Sequence, residues 1–213
     1  MKRIYIYSGY QRLWHWIQAV SILALIVTGL EIHLPDAVHL MGFKAAVQTH
    51  NFFAYLLIVN ASAGLFYYLT TGEIRQLVPE VRGLLRSVLA QARYYAWGIF
   101  RHEPHPFERE PERRLNPLQR LVYLFLLNVL LPLQAVTGTM IAMAQLWLAP
   151  GHGWGSLGAL AYAHSAGAWL FIAFLIGHLY LITTGTTPTA NIKTMLTGWE
   201  PAGGPSSATE GEQ

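Results

Sequence analysis

The chain has 213 residues, of which 53% are hydrophobic and only 12% charged, with a net charge of +3. A soluble domain averages about 25% charged residues. From Leu121 to Ile192 there is no Asp, Glu, Lys or Arg at all, so a water-facing globule is excluded and an integral membrane protein is expected. The absence of cysteine also excludes disulfides, iron–sulfur clusters and thiolate ligation.

Taken in order, Lys2, Arg3 and Arg12 precede an apolar run from Leu13 to Leu30. It is too long for a signal-peptide core and no small-x-small site follows it, so an uncleaved first span is expected over 13–31. Trp14 and Trp16 stand where interfacial aromatics usually stand. Pro35 and Gly42 break the next loop, and a second uncharged span is expected over 45–71. Residues 73–120 form the only long polar segment. Ile74, Leu77, Val78, Val81, Leu84, Leu85, Val88, Leu89 and Ala92 recur there at helical spacing, with Arg75, Arg82, Arg86 and Arg93 on another face. That pattern predicts a basic amphipathic helix in the headgroup region. The Pro-rich, charged stretch after it should be extended. A third span is expected over 117–144, started by Asn116-Pro117 and kinked at Pro132. A Gly-rich loop leads to a fourth span over 161–184. Residues 1–199 are thus expected to form one four-helix domain, and residues 200–213 a disordered tail.

Charge orients the spans. Every Lys and Arg except Lys44 lies in the N-terminus, the 73–120 segment or the C-terminal segment. Four spans place these on one side, which the positive-inside rule makes cytoplasmic, termini included. The basic balance therefore needs no nucleic acid to explain it. The fold class expected is all-α and membrane-integral: four transmembrane helices with a cytoplasmic interfacial helix between spans two and three.

Ionisable residues within spans are rare and usually functional. His164 and His178 lie fourteen residues apart on the last span. At about 100° and 1.5 Å per residue they share a face roughly 21 Å apart in depth. His15 begins span one at the cytoplasmic side, and His50 begins span two at the other. By depth, His15 matches His178 and His50 matches His164. Facing pairs of neutral imidazoles across a bundle are the arrangement that ligates a haem axially. Two pairs imply two stacked haems, both non-covalent and therefore b-type in the absence of cysteine. With both axial positions filled by protein, such haems carry single electrons. One tetrahedral zinc is disfavoured because the pairs lie too far apart. Arg12, one turn before His15, is a candidate partner for a haem propionate. Gln18, Asn60, Asn128 and Gln134 are expected to bridge helices, and Gly29, Gly64, Gly138 and Gly167 to allow close approach. His33, His39, His102, His105 and His152 are expected to be loop histidines.

These residues carry a resemblance. The Arg12-Leu13-Trp14-His15-Trp16 start, a second-span histidine, and His164-Ser165-Ala166-Gly167 followed by His178 resemble the di-haem cytochrome b subunits of respiratory complexes. That group includes the gamma subunit of formate dehydrogenase, the nickel–iron hydrogenase cytochrome b and thiosulfate-reductase-type anchors, within a cytochrome b561-like superfamily. The short N-terminus looks most like the last of these. The resemblance spans residues 10–198, including Asn191–Gly198, although some hydrogenase-type relatives have a fifth span. It implies a quinone site beside the cytoplasmic haem, lined by Asn116 and His178. The function it implies is electron transfer between quinone and an extracytoplasmic iron–sulfur or multihaem cytochrome c subunit, in a bacterial or archaeal inner membrane. The rival readings are a stand-alone b561-type quinone oxidoreductase and a haem-free transporter that relays protons through its histidines.

Overall fold

The computed structural model describes residues 3–79, 82–101, 103–104, 106–107, 115–144, 155–185 and 187–201. Loop histidines 102, 105 and 152, most of the Gly-rich loop before the fourth span, most of the expected extended stretch and the tail from residue 202 lie outside them.

The elements run β1 (Arg3–Tyr5), α1 (Gly9–His33), α2 (Phe43–Thr71), a 3₁₀ turn (Glu73–Leu77), α3 (Leu84–Ala96), a second 3₁₀ turn (Gly98–Arg101), α4 (Pro117–Phe125), a π-helical turn (Leu126–Leu130), α5 (Leu131–Ala142), α6 (Gly155–Ile182), α7 (Ala190–Thr197) and β2 (Trp199–Pro201). Among the described residues four helices are long and apolar enough to cross a membrane: Gly9–His33, Phe43–Thr71, Pro117–Ala142 and Leu157–Ile182. The shortest has 25 residues. At about 1.5 Å per residue that exceeds the ~30 Å hydrocarbon layer. The architecture is an all-α, multi-pass membrane bundle.

The ends of these helices have local causes. α1 starts at Gly9 because Ser8 and Gln11 form a reciprocal cap. Ser8 N–H donates to Gln11 Oε1 at 3.0 Å, and Gln11 N–H donates to Ser8 Oγ at 3.2 Å. α4 starts the same way, with Asn116 and Gln119 exchanging bonds ahead of Pro117. Pro132 has no N–H to give its own preceding turn. The helix absorbs this as the π turn at Leu126–Leu130 just before it.

The chain divides into two compact units. One comprises residues 13–66 and 127–179. Its interior is made of small and polar residues: Ser21, Thr28, Ala46, Asn60 and Thr137 are buried, together with Leu57 and Leu130. Its large apolar side chains face outward, and Val59, Phe66, Tyr162 and Ile176 are all exposed. That inversion of the soluble pattern is what lipid demands, because helices gain nothing by hiding leucine from acyl chains and associate instead through close backbones and polar contacts. Asn60 makes such a contact, donating to Gln18 Oε1 at 2.9 Å and to the Trp14 carbonyl at 3.1 Å, while Trp14 Nε1 donates back to the Asn60 carbonyl at 2.9 Å. Gly64 leaves room for that indole; a Cβ there would overlap Trp14.

The other unit comprises residues 1–12, 67–126 and 180–213. Here the structure corrects two expectations. The amphipathic segment is not one helix from Ile74. It is a 3₁₀ turn, then a break holding Pro79 and Gly83 at φ 74°, and α3 only from Leu84. Proline cannot supply the continuing N–H, and a left-handed glycine ends the helical path. Residues 200 and 201, the first two of the expected disordered tail, instead belong to β2, which pairs antiparallel with β1, Tyr5 opposite Trp199 and Arg3 opposite Pro201. Gly198, at φ 85°, accepts from Ile6 N–H at 2.8 Å, and the Tyr5 and Trp199 rings lie 5.0 Å apart.

Candidate functional site

Within the unit of residues 13–66 and 127–179, the four membrane histidines form two pairs. His15 on α1 faces His178 on α6, and His50 on α2 faces His164 on the same α6. The ring centroids are 6.3 Å apart in both pairs, with the planes at 48° and 68°.

That spacing has a chemical reading. A metal–imidazole bond is about 2.0–2.1 Å. A five-membered ring with sides of about 1.33 Å has a radius of roughly 1.1 Å. Two rings bonded to one metal from opposite sides therefore stand a little over 6 Å apart. A direct imidazole–imidazole hydrogen bond, with nitrogens about 2.9 Å apart, would draw them roughly 1 Å closer. The same separation in both pairs suits one metal between each.

The surroundings suit a flat macrocycle. A cavity of about 530 Å³ opens beside the His50–His164 pair, lined by Leu25, Gly29, Ala54, Leu131, Gly138 and Phe171 among others. That is within the range that takes a cofactor-sized ligand. The glycines lie against the rings: a Cβ on Gly29 would stand 3.4 Å from His50 Cε1, and one on Gly138 would stand 2.9 Å from His164 Cε1. Both imidazoles also touch a threonine. Thr28 Oγ1 is 2.9 Å from His50 Nδ1, and Thr137 Oγ1 is 2.9 Å from His164 Nδ1. At the other pair the arrangement differs. His15 Nδ1 is buried with no hydrogen-bond partner among the described residues, and the Phe174 ring stacks on His178 at 5.5 Å. An orphaned imidazole nitrogen in an apolar bundle is costly unless the ring is held for another reason. The donors at the His50–His164 pair, with the cavity beside them, fit a haem held by two imidazoles, and the His15–His178 pair repeats their ring spacing.

The remaining expected residues fall as follows. Gln134 on α5 donates to the His164 carbonyl at 2.8 Å, bridging to α6; a Cβ on Gly167 would overlap that amide. His33 is exposed at the end of α1 and reaches the rim of the cavity, and His39 is exposed in the following loop. In the unit of residues 1–12, 67–126 and 180–213, Arg12 Nη1 donates to the Leu196 carbonyl, while its Nε is buried without a partner among the described residues. Asn116 caps α4, and its Nδ2 donates to Tyr95 Oη at 2.9 Å. Thr28 and Thr137 are the residues that sequence reasoning missed. The available signal was a repeated triplet, Val27-Thr28-Gly29 and Val136-Thr137-Gly138, on the helix preceding each of His50 and His164.

The chain is similar to known proteins along most of its length. The family described as prokaryotic cytochrome b561 matches residues 6–198. A chain of Escherichia coli (strain K12), provisionally named cytochrome YdhU, is 32% identical over 201 residues, covering 93% of this chain and 75% of the relative. Chains provisionally named Ni/Fe-hydrogenase B-type cytochrome subunits are 26% identical. The one from Cupriavidus necator aligns over 84% of this chain and 79% of its own length, and the one from Azotobacter vinelandii over 92% and 88%. No solved structure matches.

Proposed function

The chain belongs to the prokaryotic cytochrome b561 family, a membrane-bound carrier of b-type haem, and from that premise we propose that it is the di-haem electron-transfer subunit of a respiratory complex. His15 and His178 hold one haem and His50 and His164 the other. The observation that carries this is the equal 6.3 Å separation of the two imidazole pairs. Bound haem would supply one-electron exchange between ferric and ferrous iron, and two histidines committed to each iron would leave no site for oxygen chemistry. The protein's part is to hold the rings, to keep water out with an apolar shell, and to admit the macrocycle where Gly29 and Gly138 present no side chain.

From the positive-inside rule we infer that both termini and α3 lie on the cytoplasmic side. The His15–His178 pair is then the cytoplasmic one, and the His50–His164 pair the outer one. We assign Arg12 to a haem propionate; its buried, unpartnered Nε is the donor in hand. We assign Asn116 to a quinone oxygen. Its amide carries two N–H groups, and Tyr95 takes one. Protons released or taken up by quinone exchange with the cytoplasm. An extracytoplasmic iron–sulfur or multihaem subunit exchanges electrons at the outer pair; the subunit names of the relatives support a partner in a complex. An electron crossing the membrane potential gains or loses about 2.3 kcal/mol per 100 mV.

A reduced-minus-oxidised spectrum of the purified protein tests the haem assignment. Two b-type components reducible by quinol, and copurification with a redox subunit, are expected. A spectrum without b-type bands overturns the reading, and a protein that is fully active and purifies alone overturns the partner.

A further inference from the structure

The two threonines beside the outer histidines decide which nitrogen each ring offers. Thr28 Oγ1 donates its proton to the Ala24 carbonyl, 2.7 Å away one turn back, with the Leu25 carbonyl at 3.4 Å. Thr137 Oγ1 donates to the Leu133 carbonyl at 2.6 Å, with Gln134 O at 3.5 Å. A hydroxyl has one proton. With that proton committed to its own helix, each threonine oxygen can only accept from the imidazole 2.9 Å away. Nδ1 is therefore the protonated nitrogen of both His50 and His164, and Nε2 is left with the lone pair that a metal needs. Both threonines are fully or nearly fully buried, so no water competes for the bond. The next residue in each triplet, Gly29 or Gly138, lies against Cε1 of the same ring. The device is thus duplicated, once on α1 for α2 and once on α5 for α6. His15, whose Nδ1 has no hydrogen-bond partner, lacks it.

We propose that Thr28 and Thr137 are positioning residues that fix the tautomer and orientation of His50 and His164 and lower the midpoint potential of the haem between them, leaving the other haem untouched. The proposal rests on the haem reading above. An imidazole that donates a hydrogen bond from its far nitrogen is a stronger electron donor to the metal, and a stronger donor favours ferric over ferrous iron. Removing the acceptor should therefore raise the potential.

The test uses the purified complex, with Thr28→Val and Thr137→Val as near-isosteric variants that lack the hydroxyl, and Thr28→Ser and Thr137→Ser as controls that keep it. The readouts are haem content, a redox titration resolved into one-electron components, and the electron paramagnetic resonance of the ferric haems. Each valine variant should keep two haems and shift the ferric–ferrous equilibrium of the same single component by roughly tenfold, ~59 mV upward for one electron. The second component should stay in place, and both serine variants should titrate as wild type. Two haems with unmoved potentials in both valine variants overturn the threonine assignment but leave the haem reading intact. A wild-type protein with no haem at this pair overturns the haem reading itself. If a valine variant loses the haem outright, the serine variants decide. Retention with a wild-type potential supports the assignment, and a serine variant as defective as valine overturns it.

Discussion

Gly138→Ala makes the sharpest demand on the site, because the change is one methyl group. The added Cβ would stand 2.9 Å from His164 Cε1, 3.5 Å from Nδ1 and 3.7 Å from Nε2. Carbon atoms in contact settle at about 3.5–4.0 Å, so the ring must retreat by roughly 0.6 Å or more. Helix packing gives little room, since Thr137, one residue away on α5, is buried and bonded to the same ring. A metal site tolerates ligand errors of only about 0.2 Å. The displaced ring must therefore either strain the helix pair, at about 1–3 kcal/mol for overpacking, or leave the metal position. In binding terms 1.4–2.7 kcal/mol is a loss of about 10- to 100-fold in haem affinity. The assay is haem per chain with a titration of added haemin, beside Gly29→Ala as the internal control. A Cβ on Gly29 would be 3.4 Å from His50 Cε1, so its penalty should be several-fold smaller. Gly138→Ala should lose one haem and keep the other. Full occupancy with unshifted spectra, or a Gly29→Ala defect larger than that of Gly138→Ala, would refute the fit of the macrocycle between these rings.

Three further outcomes follow from the same contacts. Asn60→Leu removes the two side-chain bonds to α1 and should destabilise the α1–α2 pairing by about 0.6–1.7 kcal/mol, read as a lower temperature of haem release in detergent. Glu31 Oε1 accepts from the backbone N–H groups of Leu40, Met41 and Gly42 at 2.8–3.0 Å; Glu31→Ala should open that loop to protease, seen as faster limited proteolysis, and Glu31→Gln, which keeps an acceptor, should open it less. Gly198→Ala forces a side chain onto a left-handed residue, with its Cβ 2.6 Å from the Tyr7 carbonyl. It should release the β1–β2 pairing, seen as faster amide exchange at Ile6, while haem content holds.

The four spans and the depth pairing of the histidines were legible because both depend on short-range arithmetic. Uncharged runs long enough for a bilayer announce themselves, and fourteen residues on α6 set His164 and His178 at opposite depths whatever the neighbours do. Features set by distant partners were not legible. β1 forms because residues 199–201 return to it from the other end of the chain. The helical spacing after Glu73 was real from Leu84 onward, but Pro79 and Gly83 outweigh periodicity where they stand. Asn116 was read correctly as a helix start; its bond to Tyr95 needed the fold. A threonine in an apolar helix gives no signal of its own, since it commonly bonds its own preceding turn. Thr28 and Thr137 stand out only once His50 and His164 are seen to share one site.

The most direct measurement is haem content and optical spectrum in the four single variants His15→Ala, His50→Ala, His164→Ala and His178→Ala. The account requires His50→Ala and His164→Ala to lose the same one of two b-type components, and His15→Ala and His178→Ala to lose the other. A crossed pattern, or two components surviving in any of the four, would contradict it.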